Sequence, residues 1–355
     1  MDFQQNITRH IARFTTLVLV GCSLLMPAAV MSSTAGQPDH EILVHTGDVD
    51  EVIEYLKSRD FWGPESHAES LDVPRIILAI ASDRWQAQSG KIDVQVKKEL
   101  FYRVIVPMIL LSNELIEKER SGLEAIKRDL EDGKSLLPAE QARIQALVKR
   151  YGATAVEDPA EQIDHLLQRV DIIPPSLALG QAAYESGYGT SRFAREGNAL
   201  FGQWTYSGDG MKPAEHRAAK GNYSVAAYQW PLESVRSYMY NLNSHRAYQG
   251  LRDKRAALRK AGEKPTGLEL AETLTSYSEK GEEYVNTLKG IISVNNLAIA
   301  DKAYLRDEPL TLTVGMLDEL KAQKAKEQIM SLRASGELDR ILEEMRLDGL
   351  EHDSM

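Results

Sequence analysis

Between Pro174 and Trp204 the chain reads Pro-Pro-Ser-Leu-Ala-Leu-Gly-Gln-Ala-Ala-Tyr-Glu-Ser-Gly-Tyr-Gly-Thr-Ser-Arg-Phe-Ala-Arg-Glu-Gly-Asn-Ala-Leu-Phe-Gly-Gln-Trp, and Glu185 is its candidate for chemistry. Pro174 and Pro175 suit a helix start. Leu177, Leu179, Ala183 and Tyr184 give that helix an apolar character, and Gly187 and Gly189 signal its end. Glu185 therefore falls in the last turn. The negative end of the helix dipole disfavours a carboxylate there, and apolar neighbours desolvate it, so both effects raise its pKa. A carboxyl that keeps its proton at neutral pH is what general acid catalysis requires. Taken alone this is a weak signal, since a glutamate near a helix end is usually just solvated.

The surrounding residues sharpen this reading. Ala-Tyr-Glu-Ser-Gly-Tyr-Gly-Thr-Ser-Arg-Phe-Ala, followed by Gly-Asn-Ala-Leu-Phe-Gly-Gln-Trp, resembles the signature of the glucosaminidase domain of bacterial peptidoglycan hydrolases, roughly A-x-x-E-S-G-W-G-x-S and then N-L-F-G and Trp. Two further blocks follow in the same order. The first is Leu232-Glu233-Ser234-Val235-Arg236-Ser237-Tyr238 with Asn241-Leu242-Asn243 and Ala247-Tyr248, and the second is Tyr277-Ser278-Glu279-Lys280-Gly281-Glu282-Glu283-Tyr284-Val285. The resemblance covers about residues 155–305 and is nearest to the Bax-type proteins, which carry this domain behind a helical N-terminal region. It implies a mainly α, lysozyme-like fold with a small β-lobe, a catalytic acid at Glu185, and cleavage of peptidoglycan glycan strands at an N-acetylglucosaminyl bond.

The same resemblance sets Asn198, Phe201, Gly202 and Trp204, with Tyr188 and Tyr284, along a glycan groove, and puts Tyr277 near the acid. An amide can hydrogen-bond sugar hydroxyls, and an aromatic ring can stack on the apolar face of a pyranose. Core packing competes with that role at Phe201, and a buried structural tyrosine competes with it at Tyr277. A glycosidase normally pairs its acid with a second carboxylate. Family members often supply it from a lobe that here spans Ser207 to Tyr228, where Glu215 is the candidate. Before Val225-Ala226-Ala227-Tyr228, where relatives are expected to carry glutamate, this chain has Ser224. The substrate acetamido group, or a water held by Tyr277, is the alternative to Glu215. Lytic transglycosylase cleavage and a non-catalytic glycan-binding module remain as other readings. The family label also includes an amidase activity, for which the chain offers neither nucleophile nor metal set.

These groups must be positioned by helices. Val49 to Leu56 has helical spacing and stops at Phe61-Trp62-Gly63-Pro64. A longer stripe through Leu100, Phe101, Val104, Ile105, Met108, Leu111, Leu115, Leu123, Ile126 and Leu130 predicts an amphipathic helix, kinked or broken near Pro107. Helices are expected over Ala139–Tyr151 and Ile163–Val170, and again from Leu317 to Leu347. The domains read as a targeting segment 1–35, a helical N-terminal region 41–154, the glucosaminidase-like domain 155–305 and a helical charged tail 306–355.

Composition excludes other classes. With 355 residues, 52 acidic against 42 basic side chains and a net charge of -10, the chain lacks the basic excess of a nucleic-acid binder. One cysteine permits no internal disulfide, and the eight histidines show no helix-spaced metal pair, so neither metal nor cofactor is expected. Arg252, Lys254, Arg255, Arg259 and Lys260 read as a solvated helix face, with steering of an acidic substrate as the functional alternative. Arg9, His10 and Arg13 before the apolar run Phe14 to Val30 read as an export signal. Cleavage near Ala35, lipidation at Cys22 within Leu19-Val20-Gly21-Cys22, and an uncleaved membrane anchor are the three outcomes of that reading, all in the cell envelope.

Overall fold

The computed structural model describes residues 40–44, 48–63, 72–80, 84–205, 210–212, 224–228 and 230–314, together with six positions between 323 and 334. The export signal with Cys22, Glu215 and most of the charged tail lie outside these residues.

The described residues begin with strand β1 (His40–Val44) and helix α1 (Val49–Ser58), whose first turn is capped by Asp48 accepting from the Asp50 and Glu51 amides. Strands β2 (Asp72–Val73) and β3 (Ile76–Ile80) and the short helix α2 (Trp85–Ser89) lead to α3 (Val94–Glu131). Next come α4 (Pro138–Arg150), α5 (Pro159–Arg169), α6 (Pro175–Ser186) and α7 (Arg192–Gly197). Strands β4 (Trp204–Thr205) and β5 (Ser224–Val225) pair antiparallel, with Thr205 opposite Ser224, and form the small β-lobe. Helices α8 (Pro231–Ser244), α9 (Gln249–Lys260), α10 (Gly267–Ala271) and α11 (Glu282–Val294) complete the domain, followed by β6 (Tyr304–Leu305) and β7 (Leu310–Val314).

The protein is mainly helical, and α6 lies at its centre. Its residues from Pro175 to Ala183 are all buried, and α3, α10, α11 and the 3-10 segment Leu297–Lys302 pack around it. An apolar sequence on every side of a helix calls for this surrounding. Ser176 fixes the start of α6: its amide and its hydroxyl both donate to the Asp301 carboxylate, at 2.8 and 2.7 Å.

Helix α3 is 38 residues long and continues through Pro107 without a break. Proline there removes one intrahelical donor. The buried neighbours Ile105, Val106, Met108, Ile109 and Leu110 outweigh that loss by packing against the main core. Farther along, Leu123 and Ile126 join a second cluster with Ile144, Leu147, Tyr151, Ile163 and Leu166 of the following helices. One helix thus ties two cores together.

Periodicity did not indicate the parallel sheet in which the two ends of the described chain meet. Strand β7 lies between β1 and β3, with Leu312 opposite both Ile42 and Ile77, and β2 pairs with β6. Ile76-Ile77-Leu78-Ala79-Ile80 is a continuous apolar run, and such a run carries no period of two to recognise.

The basic run on α9 also differs from expectation. Arg252 and Arg255 are fully buried rather than solvated. Arg255 donates to the carbonyls of Asp171 and Ile172 at 3.1 and 2.8 Å and to that of Gln168 at the end of α5, while Arg259 pairs with the Asp171 carboxylate. Helix-end carbonyls and a buried aspartate are what a guanidinium fork fits, so the run braces the segment that feeds α6.

Candidate active site

Helix α6 delivers Glu185 in its final turn, as the sequence indicated. Gly187 ends the helix in the left-handed conformation, with its amide bonded to the Ala183 carbonyl. Burial raises the Glu185 pKa from 4.5 to about 7, and a hydrogen bond from Tyr284 opposes that rise.

The partner of Glu185 is set by a relay inside the core. The Tyr238 hydroxyl donates to Gln181 Oε1 at 2.6 Å, and Gln181 Nε2 donates to the Tyr284 oxygen at 2.8 Å. Amide nitrogen only donates, so the Tyr284 oxygen is the acceptor there and its own proton is free for Glu185. Burial and the neighbouring Glu185 charge both push the Tyr284 hydroxyl well above its ordinary pKa, which keeps it a donor.

Four tyrosines come within electrostatic reach of Glu185: Tyr238, Tyr248, Tyr277 and Tyr284. Tyr277 and Tyr284 stack with centroids 5.5 Å apart, and the Tyr277 hydroxyl donates to the Phe201 carbonyl at 3.2 Å. Phe201 itself is buried and stacked on Tyr238 at 3.9 Å. Its side chain is spent on packing, while its backbone continues into Gly202 beside the Glu185 carboxyl. Gly202 has φ of 61°, and a Cβ there would lie 3.7 Å from Glu185 Oε2, so conformation rather than space favours glycine.

The other residues read from the sequence separate in role. Asn198 closes α7 in a left-handed conformation and donates its side-chain amide to the Tyr228 carbonyl at 3.0 Å, joining the helix to the β-lobe. Trp204 stands on β4 with 46% of its surface exposed. Tyr188 follows the acid-bearing helix and packs edge-on against Phe101 and Tyr102 of α3. Ser224 is buried on β5, and a Cβ on Gly210 would come within 2.5 Å of its own. Glycine at 210 is thus required by the close approach of β5.

Gln181, Tyr238 and Tyr248 were not read as site residues. The signal for Gln181 was present, since a residue four before Glu185 shares its helical face. Tyr238 and Tyr248 lay inside the matched blocks, yet only packing brings them to the acid.

A family model described as mannosyl-glycoprotein endo-beta-N-acetylglucosaminidase, the Glucosaminidase family, matches residues 160–297. Protein bax of Escherichia coli (strain K12) is 37% identical over 208 residues, which is 58% of this chain and 72% of that protein. The chain therefore belongs to the glucosaminidase-domain family, close to the Bax-type proteins. No solved structure matches it.

Proposed function

We propose that the protein is an exported peptidoglycan hydrolase, an endo-β-N-acetylglucosaminidase in which Glu185 is the general acid. A single observation carries this reading: a partly buried carboxyl, held near pKa 7, sits beside the Phe201-Gly202 backbone with a tyrosine hydroxyl committed to it. A carboxyl so poised is half protonated at neutral pH and is matched to proton transfer there.

In the proposed reaction Glu185 gives its proton to the glycosidic oxygen as the bond from that oxygen to the anomeric carbon breaks. The departing sugar leaves as an alcohol, and positive charge develops on the anomeric carbon. Glu185 becomes a carboxylate, which the Tyr284 hydroxyl stabilises by a hydrogen bond that strengthens as charge appears. In the same displacement water adds to the anomeric carbon and its proton passes to a base. Glu215 is the proposed base, and the substrate acetamido group or a water on Tyr277 is the alternative. Trp204 and Tyr188 supply aromatic surface for the sugar rings.

Digestion of purified peptidoglycan, with product masses compared before and after borohydride reduction, tests the proposal. A new reducing N-acetylglucosamine end is the expected result. An anhydro end would reassign the acid to lytic transglycosylase chemistry, and no new ends would leave a glycan-binding module. Export is tested by the N-terminus of mature protein from the source cell. Acylated Cys22, or a start near Gly36, supports it, and an intact cytosolic Met1 refutes it.

A further inference from the structure

The turn that leaves Glu185 is held by a residue from outside the matched glucosaminidase segment. Gly187, Tyr188 and Gly189 have φ of 58°, 58° and 76°, three left-handed residues in succession. Glycine adopts that region freely, whereas a residue such as Tyr188 gives up about 1–2 kcal/mol in it. Strain of this kind persists only where surrounding contacts impose it.

Those contacts come from two sides. From within the domain, Ser186 Oγ accepts the Gly189 amide at 2.8 Å, and the Ser191 amide bonds back to the Ser186 carbonyl at 2.9 Å. From the N-terminal region, the Trp85 indole N–H donates to the Tyr188 carbonyl at 2.9 Å. A Cβ added to Gly189 would lie 3.2 Å from that same indole nitrogen, so the turn is pressed against the ring. The Tyr188 side chain is half-buried against the same region: Phe101 and Tyr102 make T-shaped contacts with its ring, and Lys98 Nζ sits 5.8 Å from its centroid. Trp85, Lys98, Phe101 and Tyr102 all precede residue 160, where the family match begins.

We propose that Trp85 is a positioning residue for Glu185: by fixing the Tyr188 carbonyl, its indole N–H locks the strained turn and sets how deeply the carboxyl is held. The N-terminal region is on this view part of the working site rather than a layer packed behind it. The inference rests on Glu185 being the acid, and it deepens that reading. Releasing the carbonyl lets Gly187 to Gly189 relax, the last turn of α6 loosens, and Glu185 gains access to water. Both the geometry of proton donation and the desolvation of the carboxyl are then reduced.

The test is Trp85→Phe in the full chain, which keeps a ring and deletes the N–H. Turnover of peptidoglycan is expected to fall about tenfold with KM within about twofold, because a small misplacement of a catalytic group acts on kcat. In protein labelled with ¹³C at glutamate carboxyls, the Glu185 signal, assigned by its loss in Glu185→Gln, is expected to titrate below the wild-type midpoint of about 7. Adding Tyr188→Gly should return that midpoint toward wild type, because glycine accepts the turn without a clamp. A lower melting temperature with kcat and the midpoint both unchanged would make Trp85 a packing residue and overturn the proposal. So would a midpoint that the second substitution fails to restore. If the wild type cleaves no glycan, the acid assignment falls, and the midpoint shift in Trp85→Phe still decides the positioning role.

Discussion

Gln181 stands one helical turn before Glu185, and because its amide donates to the Tyr284 oxygen at 2.8 Å, Tyr284 is left to direct its own proton at Glu185. Backbone periodicity thus places the donor's organiser and the acid on one face of α6. Tyr284→Phe removes the hydrogen bond that holds the Glu185 pKa down, so the upper limb of the pH–activity profile is expected to move above the wild-type position. The buried Gln181 amide also loses its acceptor, which costs about 1–3 kcal/mol in denaturant unfolding.

Glu185→Gln deletes the transferable proton while keeping shape, and activity on peptidoglycan should fall by about 10² to 10⁴. The same variant should alter stability with a definite sign. A carboxyl whose folded pKa lies above its unfolded value disfavours folding once it must ionise. Relative to the variant, wild type is expected to lose stability as pH rises from 4.5 to about 7 and to stay lower above that. The full difference is about 1–3 kcal/mol, and it should vanish below pH 4.5 in thermal melts.

Ser224 is buried on β5 against Gly210, so Ser224→Glu brings a longer, charged side chain into a buried position. The expected outcome is loss of stability by about 2–4 kcal/mol with no gain in activity. A rise in turnover would show instead that position 224 is where the base belongs.

If Glu215 is the base, Glu215→Gln should lower turnover nearly as far as Glu185→Gln, since an inverting displacement needs both groups in one transition state. A loss under about tenfold, roughly 1.4 kcal/mol, would leave the acetamido group or a Tyr277-held water in that role.

Arg255 is fully buried and donates to the carbonyls of Asp171, Ile172 and Gln168 and to Asn243 Oδ1. Arg255→Met should destabilise by about 1–3 kcal/mol, because the Ile172 and Gln168 carbonyls lose their guanidinium donor while Arg259 still holds the Asp171 carboxylate. Denaturant unfolding monitored by circular dichroism checks this.

The sequence by itself determined the helical class, the place of the Glu185 carboxyl at the end of α6 and the motif blocks, because these depend on residues close together along the chain. Apolar spacing fixes a helical face, proline and glycine fix its ends, and the carboxyl's place in the last turn follows. Tertiary structure alone decided what surrounds that carboxyl. Gln181, Tyr238 and Tyr284 form a relay only because α6, α8 and α11 pack together, Phe201 is claimed by Tyr238 and Tyr277, and Asn198 takes its structural bond only once the β-lobe joins α7. Trp85 reaches the turn after Glu185 across 103 positions. The β7 strand likewise finds β1 and β3 from the far end of the chain. Contacts of that range leave no period in the sequence, since they are chosen by the burial of whole elements rather than by neighbouring side chains.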